Sequence, residues 1–316
     1  MENIKTSKVK ISIVIPLYNE EDSLRPLHAQ LRAVMDPLGY PYEIIFVDDG
    51  SEDGSFAVLQ DLHANYKNIK VVQFRRNFGK SAGLTAGFDE AEGEIIFTMD
   101  ADLQDDPQEI PRFLQKLDEG FDLISGWKYP RLDPLSKTLP SKLYNATVRT
   151  YTGINIHEFN SGFKVMRREV AEALTLYGEM HRYVPVLAHW RGFKVTEIKV
   201  HHRPREFGKS KYGVERFARG LFDFMTVYFL TNYTRRPLHF FGLFGGIAFA
   251  AGVLIDAYLT VVWFSGTHIG NRPLLTLGTL LIIVGVQFLF FGLLAEMLNF
   301  GLYSKEAEYT IRTKLD

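Results

Sequence analysis

The chain has 316 residues, enough for a sizeable core and one or two domains. A formal net charge of -1 offers no global basic field for nucleic acid, and the lack of cysteine excludes disulfides and thiolate metal sites. The mean hydropathy of -0.05 conceals a split: up to about residue 235 the composition is that of a soluble chain, and beyond it come two long apolar stretches.

Met1 to Lys10 is polar and charged, without the apolar core of a signal peptide. Lys10 to Glu21 is predicted as a strand that breaks at Pro16, with Asp22 or Ser23 capping the helix that follows. Glu43 to Gly54 is a second strand ending in Asp48, Asp49 and a Gly-rich turn, and the next helix turns Phe56, Leu59 and Leu62 inward. Ile69 to Phe74 is a third strand. Arg75 to Lys80 leads into a helix of small residues through Gly83 and Gly87. The apolar run Ile95 to Met99 is a fourth strand; it ends on Asp100 and Asp102, and Pro107 opens a further helix. Phe121 to Ser125 is a fifth. Strands alternating with helices predict an α/β fold with a mostly parallel sheet and helices on both faces. No Gly-x-Gly-x-x-Gly follows the first strand, so the dinucleotide fingerprint is missing.

Acidic residues gather where strands end: Glu20, Asp48, Asp49, Asp100 and Asp102. In a parallel sheet those ends share one edge, the usual place for ligands in open α/β folds. Asp100, Asp102 and the amide of Gln104 supply hard oxygen ligands for Mg²⁺ or Mn²⁺, which would in turn hold a substrate's phosphates. The stretch from Asp48 to Ser51 also suits an ordinary turn.

Together, Ile13 to Glu20, Val47 to Ser51, Asn77 to Lys80 and Met99 to Gln104 resemble the family 2 glycosyltransferases of the GT-A fold. Within them the chain is similar to the polyprenyl-phosphate glycosyltransferases, the group that includes dolichol-phosphate mannose synthase and its bacterial undecaprenyl-phosphate relatives. The resemblance spans about residues 10 to 215. It implies a GT-A Rossmann-like domain, a nucleotide-sugar donor and a divalent metal. By that similarity Pro16, Tyr18, Glu20, Asp49 and Lys80 would serve the nucleotide, and Asp100, Asp102 and Gln104 the metal and diphosphate. The family's arginine after the fifth strand, which meets the acceptor phosphate, is matched here by Lys128. Its second acidic motif is matched by Glu158, one methylene longer than the usual aspartate, with Asn160 and Ser161 as sugar-hydroxyl contacts.

Residues 127–152 are basic and aromatic: Trp127, Lys128, Tyr129, Arg131, Lys137, Lys142 and Arg149 alternate with Leu135, Leu139, Leu143 and Val148. A basic amphipathic helix of this kind lies on a membrane surface or packs on the sheet. Further on, Arg203, Arg205, Lys209 and Lys211 crowd a glycine, a composition suited to phosphate. The resemblance places Arg205, Ser210 and Lys211 in a flexible loop over the donor and acceptor phosphates. His201 and His202 are adjacent, and adjacent strand residues face opposite ways, which speaks against a shared metal.

The domain plan is a catalytic domain over 1–212, interfacial helices over 213–236, a transmembrane hairpin over 237–303 and a tail over 304–316. Leu238 to Phe264 and Leu274 to about Tyr303 are each long enough to cross a hydrocarbon layer. Arg235 and Arg236 precede the first span; Lys305, Arg312 and Lys314 follow the second, so the positive-inside rule puts both termini and the catalytic domain in the cytoplasm. Gly278, Gly285 and Gly292, and the pair Gly242 and Gly246, predict close helix packing, within the hairpin or between subunits of a homo-oligomer. Asp256 and Glu296 in these apolar stretches are functional candidates or polar contacts between protomers.

The reaction this assembles is transfer of a sugar from a UDP- or GDP-linked donor to a membrane polyprenyl phosphate, giving a polyprenyl-phosphate sugar. Asp100, Asp102, Glu158 and Arg205 are the catalytic candidates, and Lys128, Arg131, Arg205, Ser210 and Lys211 would bind the acceptor phosphate. The resemblance implies inversion at the anomeric carbon. The alternatives are a processive polysaccharide synthase and a silent nucleotide-sugar-binding scaffold. Against the first, the chain has His189, Trp190 and Arg191 but no Gln-x-x-Arg-Trp, and only two spans.

Overall fold

The computed structural model describes residues 9–129, 145–201 save 147 and 151, the single residues 203, 229 and 233, and 237–302 save 271. The chain divides into two compact units, 1–224 and 225–316.

The first unit is built on a seven-stranded sheet of order β3-β2-β1-β4-β6-β5-β7. The strands are β1 (Ile11–Leu17), β2 (Tyr42–Asp48), β3 (Ile69–Gln73), β4 (Ile95–Thr98), β5 (Leu123–Lys128), β6 (Lys164–Arg167) and β7 (Val195–Val200). All pairings are parallel except those of β6, which runs antiparallel to β4 and β5. The central strands read as near-continuous apolar runs because helices cover both faces. On one face, α1 (Glu21–Leu38) buries Leu24, Leu27, Leu31 and Met35 at helical spacing, joined by α2 (Ser55–Asn65) through Leu59 and Leu62. On the same face α4 (Ile110–Asp118) buries Ile110, Phe113 and Leu117, and its Phe113 ring meets Phe97 and Phe163 edge-on or tilted. Against the other face lies α3 (Lys80–Glu90), whose Gly87 lies so close to Val14 that a Cβ would collide with it, while Gly83 packs tightly on Pro16. Short helices α5 (Arg168–Ala173) and α6 (Val184–Trp190) follow β6.

Pro16 does not break the first strand, which continues through Leu17. The odd residues of β1 bond towards β2, as in the Asp49 N–H to Leu17 carbonyl bond, while even residues bond towards β4, as in the Met99 N–H to Val14 carbonyl bond. Beyond Val14, β4 has ended, so the N–H that Pro16 lacks has no partner strand to serve. The cap of α1 also differs from expectation. The helix starts at Glu21, and its first N–H groups are satisfied by the loop after β2 and the first residue of α2: Ser55 Oγ accepts from Glu20 N at 2.9 Å and Asp53 Oδ2 from Glu21 N at 3.3 Å. Ser23 Oγ instead donates back to the Glu20 carbonyl.

The second unit is a hairpin of α7 (Pro237–Phe264) and α8 (Pro273–Leu302), each with proline at its first position. Both are long and apolar enough to cross a membrane, and only 11% and 17% of their most apolar windows are buried. A soluble core helix would be mostly buried, so these two fit a membrane anchor. Gly278 and Gly285 of α8 face Gly252 and Gly245 of α7, backbone against backbone, and Gly292 rests on Leu238 and Phe241. The seam therefore uses Gly245 and Gly252; among the described residues Gly246 has nothing within 4 Å and Gly242 touches only Leu238. Glu296 Oε2 accepts the Leu238 N–H at 3.4 Å, a cap on α7 from its partner helix.

Candidate functional site

The parallel strands β1, β2 and β4 end on one edge, and their following loops are tied to one another. Asn19, in the left-handed region at φ 55°, donates its N–H to Ser51 Oγ and accepts from Glu52 N at 2.8 Å. Gly50, at φ 73°, lies so close to the Arg76 backbone that no side chain fits. Asp48 Oδ1 accepts from Ser51 N, and the two Asp49 oxygens accept from Phe78 N at 2.6 Å and Gly79 N at 2.9 Å. Burial outweighs those bonds and raises the Asp49 pKa. Of the expected nucleoside residues, Pro16 lies in the last part of β1, and Tyr18 and Glu20 follow it along this rim; Ser23 Oγ reaches Glu20 Oε2 at 3.4 Å.

The end of β4 is different. Asp100 sits beside Lys80, the first residue of α3, and Lys80 Nζ donates to Asp100 Oδ1. Asp102 Oδ1 accepts from Gln104 N at 3.2 Å, and Leu103 between them is held at φ 61°, a strained conformation for a leucine. Asp105, buried to 2% exposure, accepts from Asp100 N through Oδ2 and faces Lys128 Nζ at 3.2 Å through Oδ1. Geometry makes that second contact an ion pair without a hydrogen bond, leaving Oδ1 otherwise unbonded. Glu158 is buried, and its Oε2 accepts from Lys128 N at 2.9 Å.

Behind Asp100 runs the stretch from Ser161 to Lys164. A Cβ on Gly162 would collide with the Asp100 carboxylate, so glycine lets the acid lie against the backbone. Thr98 Oγ1 donates to the Gly162 carbonyl at 2.7 Å. Lys164, at 4% exposure, donates to the Ser161 carbonyl and lines a small cavity with Lys80, Ser161 and His181. The rest of that lining includes Leu84, Phe88, Met166 and Val184. His181 Nδ1 lies 3.2 Å from Ser81 Oγ, which also accepts the His181 N–H.

The charges at this edge shape one another. Burial opposes the Asp100 charge, but Lys80 and Lys128 overcome it and hold the carboxyl well below the usual range. Burial likewise works against Lys80 and Lys128, and the carboxylates of Asp100 and Asp105 outweigh it and raise both. For Lys164, burial and the neighbouring Lys80 prevail, and its pKa is pushed down to about 7. Burial and Lys80 also keep the His181 imidazole neutral.

The edge thus brings together Asp100, Asp102, Gln104, Lys80, Lys128, Glu158 and Ser161. Asp105, Lys164 and His181 are site residues that sequence reasoning missed; Asp105 carries a signal in its place five residues after Asp100, while the other two arrive only by folding. Arg203, expected on phosphate, is engaged elsewhere: its guanidinium bonds Gln30 Oε1 at 2.8 Å and Asp106 Oδ1 at 2.7 Å. His157 turns away and stacks on Trp127 at 4.0 Å. Arg131, Arg205, Ser210 and Lys211 lie outside the described residues.

Among the described residues no group of three or more His, Asp or Glu side chains pre-assembles a metal cage. Two carboxylates and an amide on one loop nevertheless fit Mg²⁺ or Mn²⁺, since such ions are often held by one or two carboxylates and complete their shell with substrate phosphates. That Asp100 already draws an ammonium shows the local demand for a cation.

Residues 12–175, just over half of the chain, match the model of glycosyl transferase family 2. A dodecaprenyl-phosphate galacturonate synthase of Rhizobium johnstonii is 36% identical over 99% of this chain and 95% of its own. An undecaprenyl-phosphate 4-deoxy-4-formamido-L-arabinose transferase of Pseudomonas fluorescens is 36% identical over 92% of this chain and 84% of its own. In fold, the chain is similar to glucosyl-3-phosphoglycerate synthase of Mycobacterium tuberculosis, solved with Mn²⁺ and UDP-glucose. The TM-score is 0.54 at 18% identity, over 71% of this chain and 79% of that one.

Proposed function

The chain belongs to glycosyl transferase family 2, and we propose that it moves a sugar from a UDP- or GDP-linked donor to a polyprenyl phosphate in a membrane, with inversion at the anomeric carbon. One juxtaposition carries this reading: a paired-carboxylate strand end flanked by the half-buried Lys80 and the largely buried Lys128, in a chain that also carries two membrane-length helices. Relatives aligned over nearly the whole chain are named for polyprenyl-phosphate sugar products, which supports it.

Asp100, Asp102 and Gln104 would hold Mg²⁺ or Mn²⁺, which supplies charge neutralisation for the departing diphosphate. Asp49 shapes the nucleoside pocket by fixing the Phe78–Gly79 backbone, beside Pro16, Tyr18 and Glu20. Lys80 steadies Asp100. Lys128 adds cationic charge for the acceptor phosphate, with Arg131, Arg205, Ser210 and Lys211 as its partners. Glu158 fixes the Lys128 backbone, and Asn160 and Ser161 face the sugar. An acceptor phosphate oxygen forms the new bond to the anomeric carbon as the bond to the diphosphate breaks and its electron pair leaves on the nucleoside diphosphate. A phosphate monoester has its second pKa near about 6 and is mostly ionised at neutral pH, so no general base is needed. The catalytic unit and both termini lie in the cytoplasm, and the Gly242 and Gly246 face of α7, outside the hairpin seam, suits a homo-oligomer.

The test is a donor panel: detergent-purified protein, Mg²⁺ or Mn²⁺, undecaprenyl phosphate and radiolabelled UDP- and GDP-sugars. Label from one donor should enter the lipid phase and be abolished by EDTA. Label in long water-soluble polymer would point to a processive synthase, and nucleotide binding without turnover to a scaffold.

A further inference from the structure

Three buried or half-buried lysines surround Asp100, and two of them are spoken for. Lys80 pairs with Asp100 and Lys128 with Asp105, while Glu158 is engaged with the Lys128 backbone. Lys164 is the most deeply buried of the three yet forms no ion pair with any described carboxylate; its hydrogen bond goes to a neutral carbonyl, that of Ser161. A buried ammonium without a counter-charge is costly, and a lysine kept only for packing would be replaced by methionine at little loss. This one points into the cavity it shares with Lys80, Ser161 and His181, two residues from the glycine against which Asp100 lies. That lining is cationic and apolar and contains no carboxylate.

We propose that Lys164 binds a phosphoryl oxyanion of the reacting substrates, an assignment that rests on the sugar-transfer reading. The chemistry is shared by the donor's diphosphate and the acceptor's monoester. Both are anions that must come within reach of Asp100, and either would supply the direct ion pair that Lys164 lacks among the described residues. Burial and Lys80 outweigh the more weakly felt carboxylates of Asp100, Asp105 and Glu158 and push the Lys164 pKa down to about 7, and an arriving anion would raise it.

The test compares the wild type with Lys164→Met and Lys164→Arg in the full-length, detergent-solubilised protein. Affinities for UDP and GDP with Mg²⁺ are measured beside those for uridine and guanosine. The Michaelis constant for undecaprenyl phosphate is measured at saturating donor. If Lys164 holds the donor, Lys164→Met weakens the nucleotide by about tenfold and leaves the nucleoside unchanged. If it holds the acceptor, nucleotide affinity stays and the lipid's Michaelis constant rises by a similar factor. Lys164→Arg retains most of the wild-type value in either case, because it keeps the charge. A parallel loss of nucleotide and nucleoside binding, or no change in any of these constants, would overturn the proposal. Absence of lipid product with every donor would instead sink the sugar-transfer reading, while the nucleotide-to-nucleoside ratio would still decide on Lys164.

Discussion

The ends of β2 and β4 carry the same signature, two acidic residues where a central parallel strand leaves the sheet, and they are used in opposite ways. At β2 the carboxylates of Asp48 and Asp49 accept from N–H groups of Ser51, Phe78 and Gly79, bonds that belong to the backbone and cannot be exchanged without unfolding a loop. At β4 Asp102 and Asp105 each accept one backbone N–H, but Asp100 and the second oxygen of Asp105 face the side chains of Lys80 and Lys128, which can give way to a metal or a phosphate. An acid held only by backbone builds the site, and an acid facing a side-chain ammonium is available to it. What distinguishes them is the counter-group.

The sharpest test of this contrast is Asp102→Ala. Product formation should fall by about 10²–10³-fold, the scale for removing one electrostatic stabiliser, with the unfolding temperature in detergent unchanged. Equal turnover in the variant would break the contrast at its functional end. Next comes Gly162→Ala, whose Cβ must displace the Asp100 carboxylate; turnover should drop by about tenfold to a hundredfold through misplacement, while the nucleoside still binds. Asp49→Ala should show the reverse pattern, costing about 1–3 kcal/mol of stability by orphaning two N–H groups. If its turnover per folded molecule fell as far as that of Asp102→Ala, the two strand ends would not differ as described. The smallest effect is expected for Glu296→Ala, which removes a cap from α7 and should cost about 1 kcal/mol in thermal unfolding, with turnover intact. A larger loss of activity than of stability there would give the membrane carboxylate a part in the chemistry.

The acids at the strand ends were legible because they follow apolar runs in β1, β2 and β4, and so were the two spans, whose length alone sets them apart. Pro16 misled because proline is a strand breaker only where its missing N–H is needed, and the early end of β4 removes that need. The Gly242–Gly246 spacing fits a packing motif, yet the hairpin seam runs through Gly245 and Gly252; spacing gives a face, and only the partner helix says which face is used. Arg203 looked like a phosphate ligand by composition, but Gln30, from a helix more than a hundred residues upstream in the chain, takes one of its nitrogens. Lys164 carried no signal of its own in the sequence, because its burial depends on strands brought beside it from residues 95–98 and 123–128.

The reversal of β6 has a consequence for where function can be written in this chain. Along β1, β2 and β4 chemistry is deposited after a strand has finished, so those elements are completed before their working residues begin. β6 enters the sheet from the working edge, and its Ser161 to Lys164 stretch is therefore a prologue. A substitution there acts at once on the reaction centre and on the first rung of the ladder that seats the strand, so Ser161 to Lys164 has less freedom to vary than the acids opposite it.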